Sequence, residues 1–175
     1  MFKHSNILSV CLYGAESTGK TTLAKQLAAH YNTVFVPEMA RWVLGDRRCE
    51  LEDFPAIAYA QFAETQRQTL HANRVLFCDT DLIVTQVYEE QYFHYVHPEV
   101  LDLQRLEHYD LYLFCDNDVP WVADEQRELG HLREEMKQKF LHQLQLRNID
   151  FQWIRGNWQE RFDTAVGLVD GLLKT

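Results

Sequence analysis

Residues Gly14-Ala15-Glu16-Ser17-Thr18-Gly19-Lys20-Thr21 have the spacing G-x-x-x-x-G-K-[ST] of a phosphate-binding loop. The glycines let the backbone curl until successive N–H groups converge on phosphate oxygens. Lys20 is spaced to reach terminal phosphates, and the Thr21 hydroxyl suits Mg²⁺. An apolar run, Ile7 to Tyr13, leads in, and a helical pattern, Thr22 to Ala28, leads out. Strand, loop and helix are the context the motif requires, and the helix adds the positive end of its dipole. Gly14, Ala15, Glu16, Ser17, Thr18, Gly19, Lys20, Thr21 and Thr22 are therefore the expected nucleoside triphosphate site. A glycine-rich turn with a chance lysine would lack both flanks.

Three acidic clusters follow apolar runs. Asp79, in Asp79-Thr80-Asp81, is the metal-side candidate with Thr21, since a carboxylate there is where phosphate-loop proteins hold Mg²⁺. It would also serve as a helix cap. Glu38 ends a second apolar run, and phosphoryl transfer to a neutral hydroxyl gains from a base there. Glu38 and Asp81 compete for that role. Arg41, one turn beyond Glu38, is placed to pair with it or to hold a ligand oxygen. The run from Asp116 to Asp124 contains Asp118 and Trp121 and reads as an acceptor site or lid, with Trp121 offering a flat face to a ring. Arg127 and Arg133 are candidates to neutralise transferring phosphate charge. His94 and His97 lack the partners of a metal set and read as helix-end residues, while Tyr92, Phe93 and Tyr95 read as packing residues. Arg47 and Arg48 are weak candidates for a phosphate contact.

The elements that must position these groups alternate. Strands are expected over roughly 6–13, 33–36, 75–78, 111–115 and 151–154. Helices are expected over roughly 20–31, just after 37–38, and over 54–73, 81–92, 98–108, 131–147 and 158–174. Continuously apolar strands separated by helices imply an α/β three-layer sandwich, a parallel sheet of about five strands covered on both faces. Ligands in such sheets bind beyond the carboxyl ends of the strands, where the loop, Glu38, Asp79 and Asp116 fall.

With 175 residues the chain is expected to form one domain, 1–175, with a lid near 117–135. A net charge of −9 argues against nucleic acid and acidic membrane surfaces as partners. Cys11, Cys49, Cys78 and Cys115 form no C-x-x-C, which points to reduced, inert thiols and a cytoplasmic protein. The first residues feed straight into the loop and do not read as a signal peptide. A homo-oligomer is compatible with the sequence.

Taken in order, the loop through Thr22, Pro37-Glu38-x-Ala40-Arg41, Asp79-Thr80-Asp81 with Thr85-Gln86, Tyr109-Asp110-Leu111-Tyr112, and Asp118-x-Pro120-Trp121-x-x-Asp124-x-x-Arg127 resemble the ribosylnicotinamide kinase domain of NadR-type NAD-biosynthesis proteins, within the P-loop kinases. The resemblance implies ATP-dependent phosphorylation of nicotinamide riboside. It implies phosphate and Mg²⁺ on Lys20 and Thr21, Asp79 in the metal shell, and Glu38 or Asp81 facing the ribose hydroxyl. Trp121 and Asp124 would lie on the acceptor side. Glu125 stands where family members often carry glycine, so the lid turn is expected to differ. The chain lacks an H-x-G-H motif, so it is expected neither to complete NAD synthesis alone nor to bind operator DNA. Two other readings remain: a kinase for another nucleoside, nucleotide or small metabolite, and a nucleotide-dependent regulatory ATPase or switch that binds a protein partner.

Overall fold

The computed structural model describes residues 7–120 and 132–174. Strands β1 (Leu8–Tyr13), β2 (Phe35–Val36), β3 (Val75–Asp79), β4 (Leu111–Cys115) and β5 (Phe151–Ile154) form a parallel sheet in the order β2-β3-β1-β4-β5. Helices α1 (Lys20–His30), α2 (Ala40–Leu44), α3 (Phe54–Thr69), α4 (Leu82–Phe93), α5 (Pro98–Gln104), α6 (Arg133–Leu146) and α7 (Trp158–Leu172) connect them.

Alternation along each strand splits the core into two faces. Cys11, Tyr13, Leu76, Cys78 and Phe114 pack beneath α4 and α6, where Val84, Val87, Phe140 and Leu144 meet them. Val10, Leu12, Phe77, Leu113 and Cys115 pack against Leu23 and Leu27 of α1 and Ala165 and Val169 of α7. The cysteines are unpaired, and Cys11, Cys78 and Cys115 are buried in strands. Among the described residues no helix is long and apolar enough to cross a membrane.

Central β1 has β3 on one side and β4 on the other, with Leu12 opposite both Asp79 and Leu113. The loop after β1 therefore emerges in the crevice where strand order switches direction.

Several element ends differ from the sequence reading. The second strand is short because the Thr33 hydroxyl closes a turn, donating to Val75 O at 2.7 Å and accepting from Asn73 N at 2.8 Å. The helix expected to 73 stops at Thr69, since the chain turns through Arg74 at φ 62° to enter β3. The helix expected to 108 stops at Gln104 because Glu107 turns inward, accepting Leu82 N at 2.9 Å and the Tyr109 hydroxyl at 3.1 Å. A 3₁₀ turn at Leu51–Asp53 was not legible; Asp53 accepts Glu50 N at 2.8 Å and both Arg47 terminal nitrogens at 2.6 Å. Arg47 is thereby an ion-pair partner of Asp53.

Candidate active site

The loop between β1 and α1 is fixed by close contacts that require its glycines. A Cβ on Gly14, at φ 130°, would sit 2.7 Å from Cys115 O. One on Gly19, at φ 86°, would sit 2.4 Å from the Trp158 ring. The Thr18 hydroxyl donates to Ala15 O at 2.8 Å, and Lys20 Nζ donates to the same carbonyl at 2.8 Å from inside the curl.

Arg161 of α7 holds this loop to its surroundings and is only 2% exposed. Its guanidinium donates to Thr18 O at 3.0 Å, Asp116 O at 3.0 Å and Gly156 O at 2.9 Å, and pairs with Asp118. Removing a buried charge that satisfies several acceptors costs about 3–5 kcal/mol. Arg161→Ala is expected to lower unfolding stability by that amount in denaturant titration; a loss below about 1 kcal/mol would contradict this anchoring role.

Asp79 at the end of β3 accepts the Thr21 hydroxyl through Oδ2, while its Oδ1 is buried with no hydrogen-bond partner. Burial raises its pKa, opposed by Lys20 and Thr21. An orphaned carboxylate oxygen beside a hydroxyl at a helix N-terminus is the hard-oxygen donor set that suits Mg²⁺, which typically takes few protein ligands and completes its shell with phosphate and water. Among the described residues no group of three His, Cys, Asp or Glu forms a dedicated metal cage.

Glu38 lies beyond β2, held from both sides by buried Gln61 of α3. Gln61 Oε1 accepts Met39 N at 2.8 Å and its Nε2 donates to Pro37 O at 3.3 Å. Burial raises the Glu38 pKa and Asp79 adds to it, while Lys20 and Arg41 pull it down.

A cavity of about 220 Å³ joins these groups. Residues 16–22 of the loop form one wall, and Glu38, Arg41 and Gln61 form another. Thr80, Val84, Thr85, Tyr88 and Tyr92 close the α4 side. The Tyr88 and Tyr92 rings stack 20° from parallel with centroids 6.1 Å apart. The Tyr88 hydroxyl accepts the Glu16 amide at 3.2 Å, tying α4 to the loop. Tyr92, expected only to pack, thus lines the cavity, because α4 turns its Tyr88–Tyr92 edge towards it.

Asp81 and Asp118 lie elsewhere. Asp81 is fully buried and does not line the cavity. It caps α4, accepting Val84 N at 3.0 Å and the Tyr112 hydroxyl at 3.0 Å. Asp118 pairs with Arg161 and accepts Gly156 N at 2.6 Å, and it does not line the cavity. Asp116 binds Lys137 at 2.6 Å and Arg155 at 2.7 Å. His94 ends α4, and His97 begins α5 with its Nδ1 against buried Glu89. Arg133 donates to Val119 O at 3.1 Å, while its Nε and Nη2 are buried without hydrogen-bond partners. Burial lowers its pKa, and Glu16 of the loop opposes that shift. Trp121, Asp124 and Arg127, with most of the expected lid, lie outside the described residues.

Buried Asp81 and half-buried Glu107 form an acidic pair at the start of α4. Burial raises Asp81 to about 6. Burial, with the Asp81 charge adding, raises Glu107 to about 8. Both pKa values lie above those of the unfolded chain, so their contribution to stability is complete below about pH 4 and is lost as pH rises through these folded values. Glu107→Gln is expected to flatten the fall in melting temperature between about pH 5 and 8; an unchanged slope would contradict the assignment.

The chain is similar to the trifunctional NAD biosynthesis/regulator protein NadR of Escherichia coli (strain K12), with 32% identity over 172 residues. That match covers 93% of this chain but 42% of the relative, so the chain spans less than half its length. A crystal structure of NadR protein in complex with NAD and AMP-PNP superposes with TM-score 0.78 at 23% identity, covering 97% of this chain and 50% of that one. A crystal structure of NadR protein in complex with NR gives TM-score 0.77 at 23% identity, covering 97% of this chain and 52% of the other. Residues 9–161 match the model of the AAA domain family, and the chain belongs to that family.

Proposed function

We propose that the protein is an ATP-dependent small-molecule kinase that phosphorylates nicotinamide riboside to nicotinamide mononucleotide. The observation that carries this reading is one cavity with a phosphate loop on one wall, a carboxylate of raised pKa on a second, and stacked tyrosines on a third.

The loop amides and Lys20 hold the triphosphate. Thr21 and Asp79 fit Mg²⁺, which when bound supplies charge neutralisation at the phosphate oxygens. Glu38 accepts the proton of the acceptor 5′-hydroxyl. That oxygen forms a bond to the γ-phosphorus as the bond to the bridging oxygen of ADP breaks. Asp81 is not the base in this reading, because both of its oxygens are engaged away from the cavity. Arg133, with two buried unpartnered nitrogens and electrostatic reach to Glu16, is suited to neutralise transferring charge. Trp121, Asp124 and Arg127 retain proposed roles on the acceptor side and in charge neutralisation.

A positively charged nicotinamide ring is the acceptor chemistry that stacked tyrosines in the same cavity as Glu38 favour. NadR crystallised in complex with NR supports the same assignment. The protein is proposed to act in the cytoplasm on a small molecule, as one domain with a lid near 117–135, and not on nucleic acid or membrane.

Tyr92→Ala is expected to raise the KM for the riboside about tenfold and leave that for ATP within twofold. Equal effects on both would remove Tyr92 from the acceptor wall. The reading is tested by ADP release from Mg·ATP with a panel of acceptors. Nicotinamide riboside should stimulate most; stronger stimulation by a nucleoside monophosphate would replace it with a nucleotide-kinase reading.

A further inference from the structure

Thr80 stands between Asp79 and Asp81 in an unusual state. Its φ is 82°, a left-handed conformation that a β-branched residue rarely adopts. Its hydroxyl is buried and has no hydrogen-bond partner. The residue is 3% exposed and lines the cavity. Strain and an orphaned polar group each cost stability, and a site that keeps both holds them for a ligand. Asp79 Oδ1, one residue earlier, is orphaned in the same way.

The neighbours divide the work around this hydroxyl. The phosphate side is served by the loop and Lys20, and the metal side by Thr21 and Asp79. Beyond Thr80 the chain enters α4, whose Val84, Thr85 and Tyr88 wall the acceptor half. A threonine hydroxyl both donates and accepts, as a neutral sugar hydroxyl does.

We infer that Thr80 is a substrate-positioning residue whose hydroxyl bonds to a hydroxyl of the acceptor sugar. The inference rests on the kinase reading above.

The test compares Thr80→Val with wild type, because valine keeps the β-branched shape and removes only the polar group. The expected result is a riboside KM raised about tenfold or more, an ATP KM within twofold, and a melting temperature no lower than wild type. A lowered melting temperature with unchanged riboside KM would overturn the inference and make the hydroxyl structural. Should the valine variant not fold, Thr80→Ser and Thr80→Ala differ from each other in the hydroxyl alone. Serine must then hold the KM that alanine loses, and equal KM values overturn the inference. Wild-type turnover of nicotinamide riboside separately decides the kinase reading. If another ribose-bearing acceptor turns over instead, the same ratios are measured on it, and absence of turnover with every such acceptor overturns both.

Discussion

Lys20→Ala is expected to lower phosphoryl transfer by about three orders of magnitude or more while the protein stays folded. Lys20 is 8% exposed, and its ammonium lies inside the loop against Ala15 O. It also holds down the pKa values of Asp79 and Glu38, both of which burial pushes up. Losing it removes the cation proposed to meet the terminal phosphates and leaves buried Asp79 and half-buried Glu38 less compensated. Their protonation would weaken the metal ligand and the base together. The side chain belongs to neither of the two main apolar clusters, so the fold should survive. Steady-state rates alongside circular dichroism separate the two effects; turnover near wild type would contradict the phosphate-loop assignment.

Glu38→Gln should lower kcat by about 10²–10⁴-fold, the range for a lost general base, with riboside KM within a few-fold. Glutamine preserves shape and an acceptor oxygen but cannot take the proton. A base at Glu38, as proposed, works only when ionised, so the wild-type rate should rise with pH through the Glu38 pKa, which lies above the ordinary carboxylate value. The acidic limb should therefore sit above about pH 4.3 and disappear in the glutamine variant. Asp81→Asn offers the contrast. Because Asp81 caps α4 and holds Tyr112, its loss should appear mainly in stability. A large kcat loss in Asp81→Asn with Glu38→Gln near wild type would reverse the assignment.

What the sequence made legible was local. The phosphate loop is a contiguous pattern, and the strands are contiguous apolar runs, so the sheet and the carboxylates at its strand ends followed directly. Gln61, Tyr88 and Tyr92 were not legible as cavity residues, because helical spacing looks the same whether a face meets a core or a cavity. Arg161 lies 143 positions from the loop carbonyl it holds, and no local pattern marks a buried arginine on a charged helix. Asp118 shows the converse: a carboxylate beyond a strand end also pairs with Arg161, a contact visible only in three dimensions. Glu107 ended a helix early for the same reason, drawn in by the Leu82 amide across 25 positions.

The most direct test of the proposed kinase activity is transfer of label from γ-labelled ATP, with Mg²⁺ and nicotinamide riboside, using the wild-type chain. Label is expected in nicotinamide mononucleotide in step with ADP release. Label confined to inorganic phosphate, at a rate unaffected by the riboside or any other acceptor, would contradict it and favour a nucleotide-dependent switch.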